Sequence, residues 1–104
     1  MDLVTAVYRV SAAFARVETY GLTSQLRRAA VSIPSSIAEG QGRFGAPEFR
    51  HFLRQANGSL MELETQILMS QRLEYLTSRG ASAGLNGAAE VGKILHGLIA
   101  SIER

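Results

Sequence analysis

The chain has 104 residues, enough for one domain, and its 46% hydrophobic and 19% charged residues are typical of a globular protein. It contains no cysteine, which excludes disulfides and thiolate chemistry, and its formal net charge is +2. No apolar run approaches the roughly 18 residues of a membrane span, and no basic stretch typical of a signal peptide precedes the first apolar residues, so we expect a cytoplasmic protein.

Apolar residues at helical spacing predict a first helix over about residues 2–13. Leu3, Val7, Val10 and Phe14 recur at steps of four and three residues, which places them on one stripe. The residues after this stripe are predicted to form a connector.

A second helix is predicted over about residues 19–42, with Pro34 in its interior. A proline there removes one backbone hydrogen bond and costs about 3 kcal/mol. The apolar spacing nevertheless continues across it from Ile33 to Ile37, so we expect a kinked but continuous helix. Serines at 32, 35 and 36 could donate hydrogen bonds to the carbonyls that the proline leaves without a donor.

Glycines at 40, 42 and 45 raise the alternative of a phosphate-binding loop. Such loops follow a strand, whereas these glycines follow a predicted helix. We therefore interpret them as the end of the second helix, with glycine at positive φ, and a turn into the next helix.

The third helix is predicted over about residues 46–77, with Pro47 in its first turn and an apolar stripe that includes Leu53, Leu60 and Ile67. The tract TSRGASAG, residues 77–84, is interpreted as a loop, and a last helix is predicted over about residues 83–103. Four amphipathic helices with short connectors predict an all-α, antiparallel up-down-up-down four-helix bundle. Because the helices differ in length, apolar surface is left uncovered, which favours self-association.

Signals of catalysis or metal binding are missing from the sequence. Neither His51 nor His96 is followed by a histidine or carboxylate one turn later, and neither the pair of Glu-x-x-His motifs found in di-iron bundles nor a nucleophile-elbow motif occurs. We therefore predict a protein that is not an enzyme, with no catalytic residue, cofactor, metal or small-molecule substrate.

Arginine supplies every positive charge except Lys93, and arginine makes planar, bidentate contacts with phosphate. Pairing of these arginines with Glu48, Glu62 or Glu64 is the alternative. The candidates for binding RNA or DNA are Arg27, Arg43, Arg50 and Arg54. A second polar set lies beside the apolar stripes and is predicted to form a structural network between helices or subunits: Gln25, Arg28, Asn57 and Glu64.

The stretch YGLTSQLRRAAVSIPSSIAEGQGR, residues 20–43, resembles the bacterial four-helix bundle proteins related to those encoded in 23S rRNA intervening sequences. That family includes the accessory protein of diversity-generating retroelements. The similarity continues through FRHFLRQANGSLMELETQI, residues 49–67, and through VYRVSAAF in the first helix.

The resemblance implies a homopentameric ring of antiparallel bundles. For the retroelement branch it also implies binding of nucleic acid and of a reverse transcriptase. It adds Pro34 and Glu39 to the structural set, whereas Ser36 stands where the family usually has asparagine. The alternative function is a scaffold or accessory subunit, for example of a reverse transcriptase, that does not itself bind nucleic acid.

Overall fold

Four helices form the described part of the molecule. The computed structural model describes residues 2–12, 21–42 and 45–103, without the side chain of Glu103. The helices are α1 (Asp2–Ser11), α2 (Leu22–Gln41), α3 (Ala46–Arg72) and α4 (Ser78–Glu103). These ranges contain no strand, which confirms the all-α class for them. None of their helices is long and apolar enough to cross a membrane.

The helices surround one apolar core. Helix α2 packs on α3, α3 packs on α4, and α1 lies against both α2 and α4. The predicted apolar stripes supply the buried side chains, among them Leu3 and Val7 of α1, Leu26 of α2, Leu63 of α3 and Leu95 of α4. Phe14, the last residue of the predicted first stripe, lies outside the described residues.

Helix α2 runs without a break through Pro34, as the spacing predicted. Proline has no N–H, so the carbonyl of Ala30 lacks its helical donor. The hydroxyl of Ser32 donates to the carbonyl of Ala29 at 2.8 Å, one residue before that carbonyl. The kink at Pro34 stays a prediction. The predicted start at residue 19 lies outside the described residues, and the helix itself begins at Leu22, after Gly21.

The glycines after α2 correct one expectation. Gly42 follows the end of α2 with φ −78°, an ordinary right-handed conformation, and among the described glycines only Gly45 has positive φ, at 102°. Gly40, which lies within α2, is needed instead for the close packing of α2 against α3. A methyl group at Gly40 would lie 2.8 Å from Cβ of Phe52 and 2.9 Å from Cδ1 of Phe49, so α2 and α3 approach closely here because Gly40 has no side chain.

Helix α3 ends five residues earlier than predicted, at Arg72. The N–H of Tyr75 donates to the carbonyl of Ser70 at 2.9 Å, and the N–H of Glu74 donates to that of Gln71 at 3.0 Å. Glu74 has φ 65°. This pair of bonds around a left-handed residue is a Schellman motif, which satisfies carbonyls at a helix end. The prediction missed it because glycine usually occupies the left-handed position.

Helix α4 begins at Ser78, so the predicted loop over residues 77–84 is wrong. The hydroxyl of Thr77 accepts a hydrogen bond from the N–H of Gly80 at 3.1 Å, which caps the helix. The small residues of this tract allow close packing instead of forming a loop. A methyl group on Gly84 would lie 3.1 Å from Cδ1 of Ile67, and Gly84 is buried against α3.

Candidate nucleic-acid interface

Three arginines lie along the side of α3 that faces away from the core. The buried residues of α3, such as Leu53, Leu60 and Leu63, define its inner face. Opposite them, at helical spacing, run Arg50, Arg54, Met61, Thr65, Leu68 and Arg72, which we call the α3 outer stripe. Arg50 is half-buried, whereas Arg54 and Arg72 are exposed.

The α3 outer stripe is basic at both ends and apolar between them. Arg50 and Arg72 are separated by about 33 Å along the helix, given a rise of 1.5 Å per residue. The stripe carries no carboxylate of its own, although Glu62 and Glu64 flank it. Met61 is 62% exposed and Leu68 is 49% exposed, so the middle of the stripe is open to solvent. The stripe therefore presents guanidinium groups and uncovered apolar surface on one helix face.

Arg27, another predicted binding residue, contacts α1. Its Nε donates to Oγ of Ser11 at 2.9 Å, its Nη2 donates to the carbonyl of Tyr8 at 3.3 Å, and its guanidinium carbon lies 4.6 Å from the centre of the Tyr8 ring. A cation at the end of α1 also complements the negative end of the helix dipole. Arg27 thus fastens α1 to α2.

The four predicted binding arginines do not form one cluster. Phe49 and Phe52, on either side of Arg50, lie beside Gly40 of α2. Arg27 is 13 residues from Gly40 along α2, a separation of about 20 Å along the helix. Arg43 lies outside the described residues. Among the described candidates, the structure brings Arg50 and Arg54 together and leaves Arg27 apart from them.

The predicted polar network divides into two crevices. Gln25 and Arg28 of α2 line one crevice with Glu62 of α3. Asn57 and Glu64 line another, between α3 and α4, with Lys93 and His96. None of the four predicted network residues is buried within the chain, and Glu39 is exposed. They therefore do not form a single buried network in one protomer.

Three polar residues of α2 and α3 are buried and were not predicted to be so: Thr23, Gln66 and Ser70. Gln66 donates from Nε2 to Oε1 of Glu62 at 3.3 Å, while its own Oε1 and Oγ1 of Thr23 have no hydrogen-bond partner in the described structure. The hydroxyl of Ser70 donates to the Gln66 carbonyl at 2.8 Å. Glu62, Gln66 and Ser70 are spaced four residues apart, and this helical spacing could have predicted the two hydrogen bonds.

Two grooves flank α1. The first, an open groove of about 650 Å³, runs between Tyr8 of α1 and the outer side of α2, where Arg27, Arg28 and Val31 line it. We call it the basic groove. The second, of about 320 Å³, lies where α1 meets α4 and is lined by apolar residues together with Asp2 and Glu90. We call it the acidic groove.

The described residues contain no group of three histidine or acidic side chains placed to hold a metal ion. His51 and His96 are both exposed, and the His51 ring meets the Phe52 ring edge-on with centroids 5.4 Å apart. Both histidines are therefore surface residues of the protomer.

Comparison with known families decides the relationship. The model of the family described as 23S rRNA-intervening sequence protein matches residues 1–97. The chain belongs to the 23S rRNA-intervening sequence protein family. The resemblance inferred from residues 20–43 and 49–67 is thereby confirmed. Comparison with curated proteins gives no significant match.

The match to the 23S rRNA-intervening sequence protein family covers nearly the whole molecule. It includes α1, α2, α3 and most of α4, as far as Gly97. The α3 outer stripe and the residues that line both grooves therefore lie within the family's shared region. The family description carries no activity, so the chemistry of the surfaces must support any function.

Proposed function

We propose that this member of the 23S rRNA-intervening sequence protein family is a non-enzymatic bundle protein of the bacterial cytoplasm that binds nucleic acid. The α3 outer stripe is the proposed binding surface. The observation that carries the proposal is the placement of Arg50 and Arg54 one turn apart on an outward face without carboxylates of its own. Guanidinium groups in such an array can contact successive phosphates of a nucleic-acid strand.

The proposed architecture is an antiparallel up-down-up-down bundle that assembles into a homopentamer. The order of helix contacts, in which each helix lies against two others, supports the bundle. Exposed apolar side chains support self-association, since they include Met61, Leu68 and Ile94. The pentamer follows from the family resemblance.

Salt-dependent binding tests the nucleic-acid proposal. A labelled RNA hairpin and a labelled DNA duplex are titrated with protein between about 50 mM and 200 mM salt, and the slope of log K against log salt is measured. Because each lost phosphate contact lowers the steepness of that slope by about 0.7 to 0.9, the variant Arg50→Ala/Arg54→Ala should bind more weakly and with a shallower slope.

The matched control is Arg79→Ala, which removes an exposed arginine from α4 and should leave both affinity and slope unchanged. Absence of binding by the wild-type protein at low salt contradicts the proposal. So does a double variant whose salt slope equals that of the wild-type protein.

A second candidate function is a scaffold that docks a protein partner, such as a reverse transcriptase. The exposure of Met61 and Leu68 in the middle of the α3 outer stripe favours it, because apolar side chains contribute more to protein interfaces than to phosphate contacts. This function predicts capture of a reverse transcriptase encoded beside the gene by the wild-type protein in the absence of nucleic acid. The variant Met61→Ser/Leu68→Ser should lose that capture.

A further inference from the structure

The two grooves beside α1 carry opposite charge. The charged residues that line the basic groove are Arg27 and Arg28, and those that line the acidic groove are Asp2 and Glu90. Neither set includes a residue of the other sign. One protomer therefore displays two complementary surfaces on different sides of the same helix.

Most of these charges have no partner within the described part of the chain. Arg27 is bonded to α1, but the side chains of Arg28, Asp2 and Glu90 are exposed and make no hydrogen bond or ion pair with any described residue. Charges of this kind are available to a partner, and complementary charge patterns orient the partners of an interface.

Each groove also has an uncovered apolar side chain. Val31, in the basic groove, is 39% exposed, and Ile94, in the acidic groove, is 62% exposed. Apolar side chains among polar ones are the composition of a protein interface, in which the apolar residues are buried and the charges lie around them.

We propose that the basic groove of one copy docks on the acidic groove of the next copy. The proposal rests on the self-association in the proposed function and goes beyond it by naming the two surfaces in contact. A nucleic acid would fit the basic groove and be repelled by the acidic one, and a basic peptide would fit the acidic groove alone. A second copy of the chain satisfies both grooves.

The contact is heterologous, because two different surfaces meet. Such contacts repeat from copy to copy and form a ring when the rotation between copies closes. The charge of Arg28 then faces that of Glu90 on the neighbouring copy.

Charge reversal tests this pairing. Arg28→Glu places like charges opposite each other at every contact, and so does Glu90→Arg. Each variant alone should raise the protein concentration needed for half-assembly at least about tenfold, since facing like charges disfavour binding strongly. The double variant Arg28→Glu/Glu90→Arg exchanges the two signs within one chain and should restore assembly. Assembly is measured by analytical ultracentrifugation, and circular dichroism confirms that each variant is folded.

The matched control is Arg79→Glu, the same reversal at an exposed arginine that lines neither groove, and it should assemble like the wild-type protein. Dissociation of this control, or single reversals without effect on an assembled protein, overturns the groove pairing and leaves the proposed self-association intact. A double variant that stays dissociated while both single variants dissociate also overturns the pairing. A monomeric wild-type protein overturns the self-association itself and the pairing with it.

Discussion

Arg27 was predicted to bind nucleic acid, but its guanidinium group contacts α1 of the same chain. A guanidinium group has five N–H donors, and two of them are directed at Ser11 and Tyr8 of α1. Ser11 is only 2% exposed, so its hydroxyl needs a partner inside the protein. The Ser11 hydroxyl also donates to the Tyr8 carbonyl, which accepts from the Ala12 N–H as well, so Arg27 joins hydrogen bonds already made at the end of α1. These contacts between helices make Arg27 chiefly a structural residue, and the nucleic-acid proposal therefore depends on α3.

Gly40 is a residue whose replacement should destabilise the protein although alanine favours helices. In Gly40→Ala, the new methyl group would lie 2.8 Å from Cβ of Phe52, which forces α2 and α3 apart. We expect the free energy of unfolding to fall by about 1 to 3 kcal/mol, the usual cost of overpacking a core. Urea unfolding at fixed protein concentration measures it.

The control for Gly40 is Gly97→Ala in α4, where a new methyl group meets no atom within 4 Å. Here only the helix propensity changes, so the free energy of unfolding should rise by up to about 1 kcal/mol. Equal effects of the two substitutions would contradict a packing role for Gly40.

Gly40 and Arg27 both show the limit of what the sequence could predict about contacts between helices. The sequence placed Gly40 near the end of α2 but did not indicate that phenylalanines of α3 would lie against it. Arg27 could not be assigned to α1, because its partners are 16 and 19 residues away and depend on how the two helices pack. The residue pattern within one helix does not predict which residues of another helix it contacts.

At the scale of the element, the junction between α3 and α4 is defined by hydrogen bonds at both helix ends. A Schellman motif ends α3 at Arg72, and the Thr77 hydroxyl begins α4 at Ser78, so five residues satisfy backbone groups of both helices. Glu74 occupies the left-handed position of this motif, a conformation that favours glycine.

Replacing Glu74 should therefore stabilise the protein. Glu74→Gly relieves a left-handed conformation that costs about 1 to 2 kcal/mol for a residue with a Cβ atom, although glycine also gains entropy in the unfolded chain. We expect a net rise of up to about 1 kcal/mol in the free energy of unfolding. Arg72→Gly, two residues earlier and within the helix, should lower it by about 1 kcal/mol. Two changes of the same sign would contradict the assignment.

The sequence predicted the presence of each helix better than the residues at which the helices end. The apolar stripes identified all four helices, and the stripe on both sides of Pro34 correctly predicted a continuous α2. The tract at residues 77–84 was misread because glycine, serine and alanine are typical of loops and are also the residues that allow two helices to pack closely. Gly84 beside Ile67 shows the second use. Composition cannot separate the two cases without the partner helix.

For the whole molecule, exposed apolar and unpaired charged side chains predict linkage between stability and concentration. If copies associate in the folded state alone, mass action stabilises that state, and the melting temperature should rise with protein concentration. Differential scanning calorimetry over a wide concentration range measures this. A melting temperature independent of concentration, in a range where ultracentrifugation shows assembly, would contradict it.

The candidate site was predictable only in part at this scale. Arg50 and Arg54 are four residues apart on α3, so their position on one face follows from the helical spacing alone. Arg72 was missed because it lies at the far end of the helix, beyond Met61 and Leu68. The two grooves could not be predicted, because each combines residues from at least two helices.

The contact between α1 and α4 has a consequence for the growing chain on the ribosome. Leu3 approaches Gly87, where a methyl group would lie 3.4 Å from the leucine Cδ1. These residues are 84 positions apart, so α1 cannot reach this partner until α2, α3 and the start of α4 have been synthesised. Until then the apolar side of α1, with Leu3 and Val7, lacks its α4 neighbour. Of the four helices, α1 is thus made before the other three and is among the last to complete its packing.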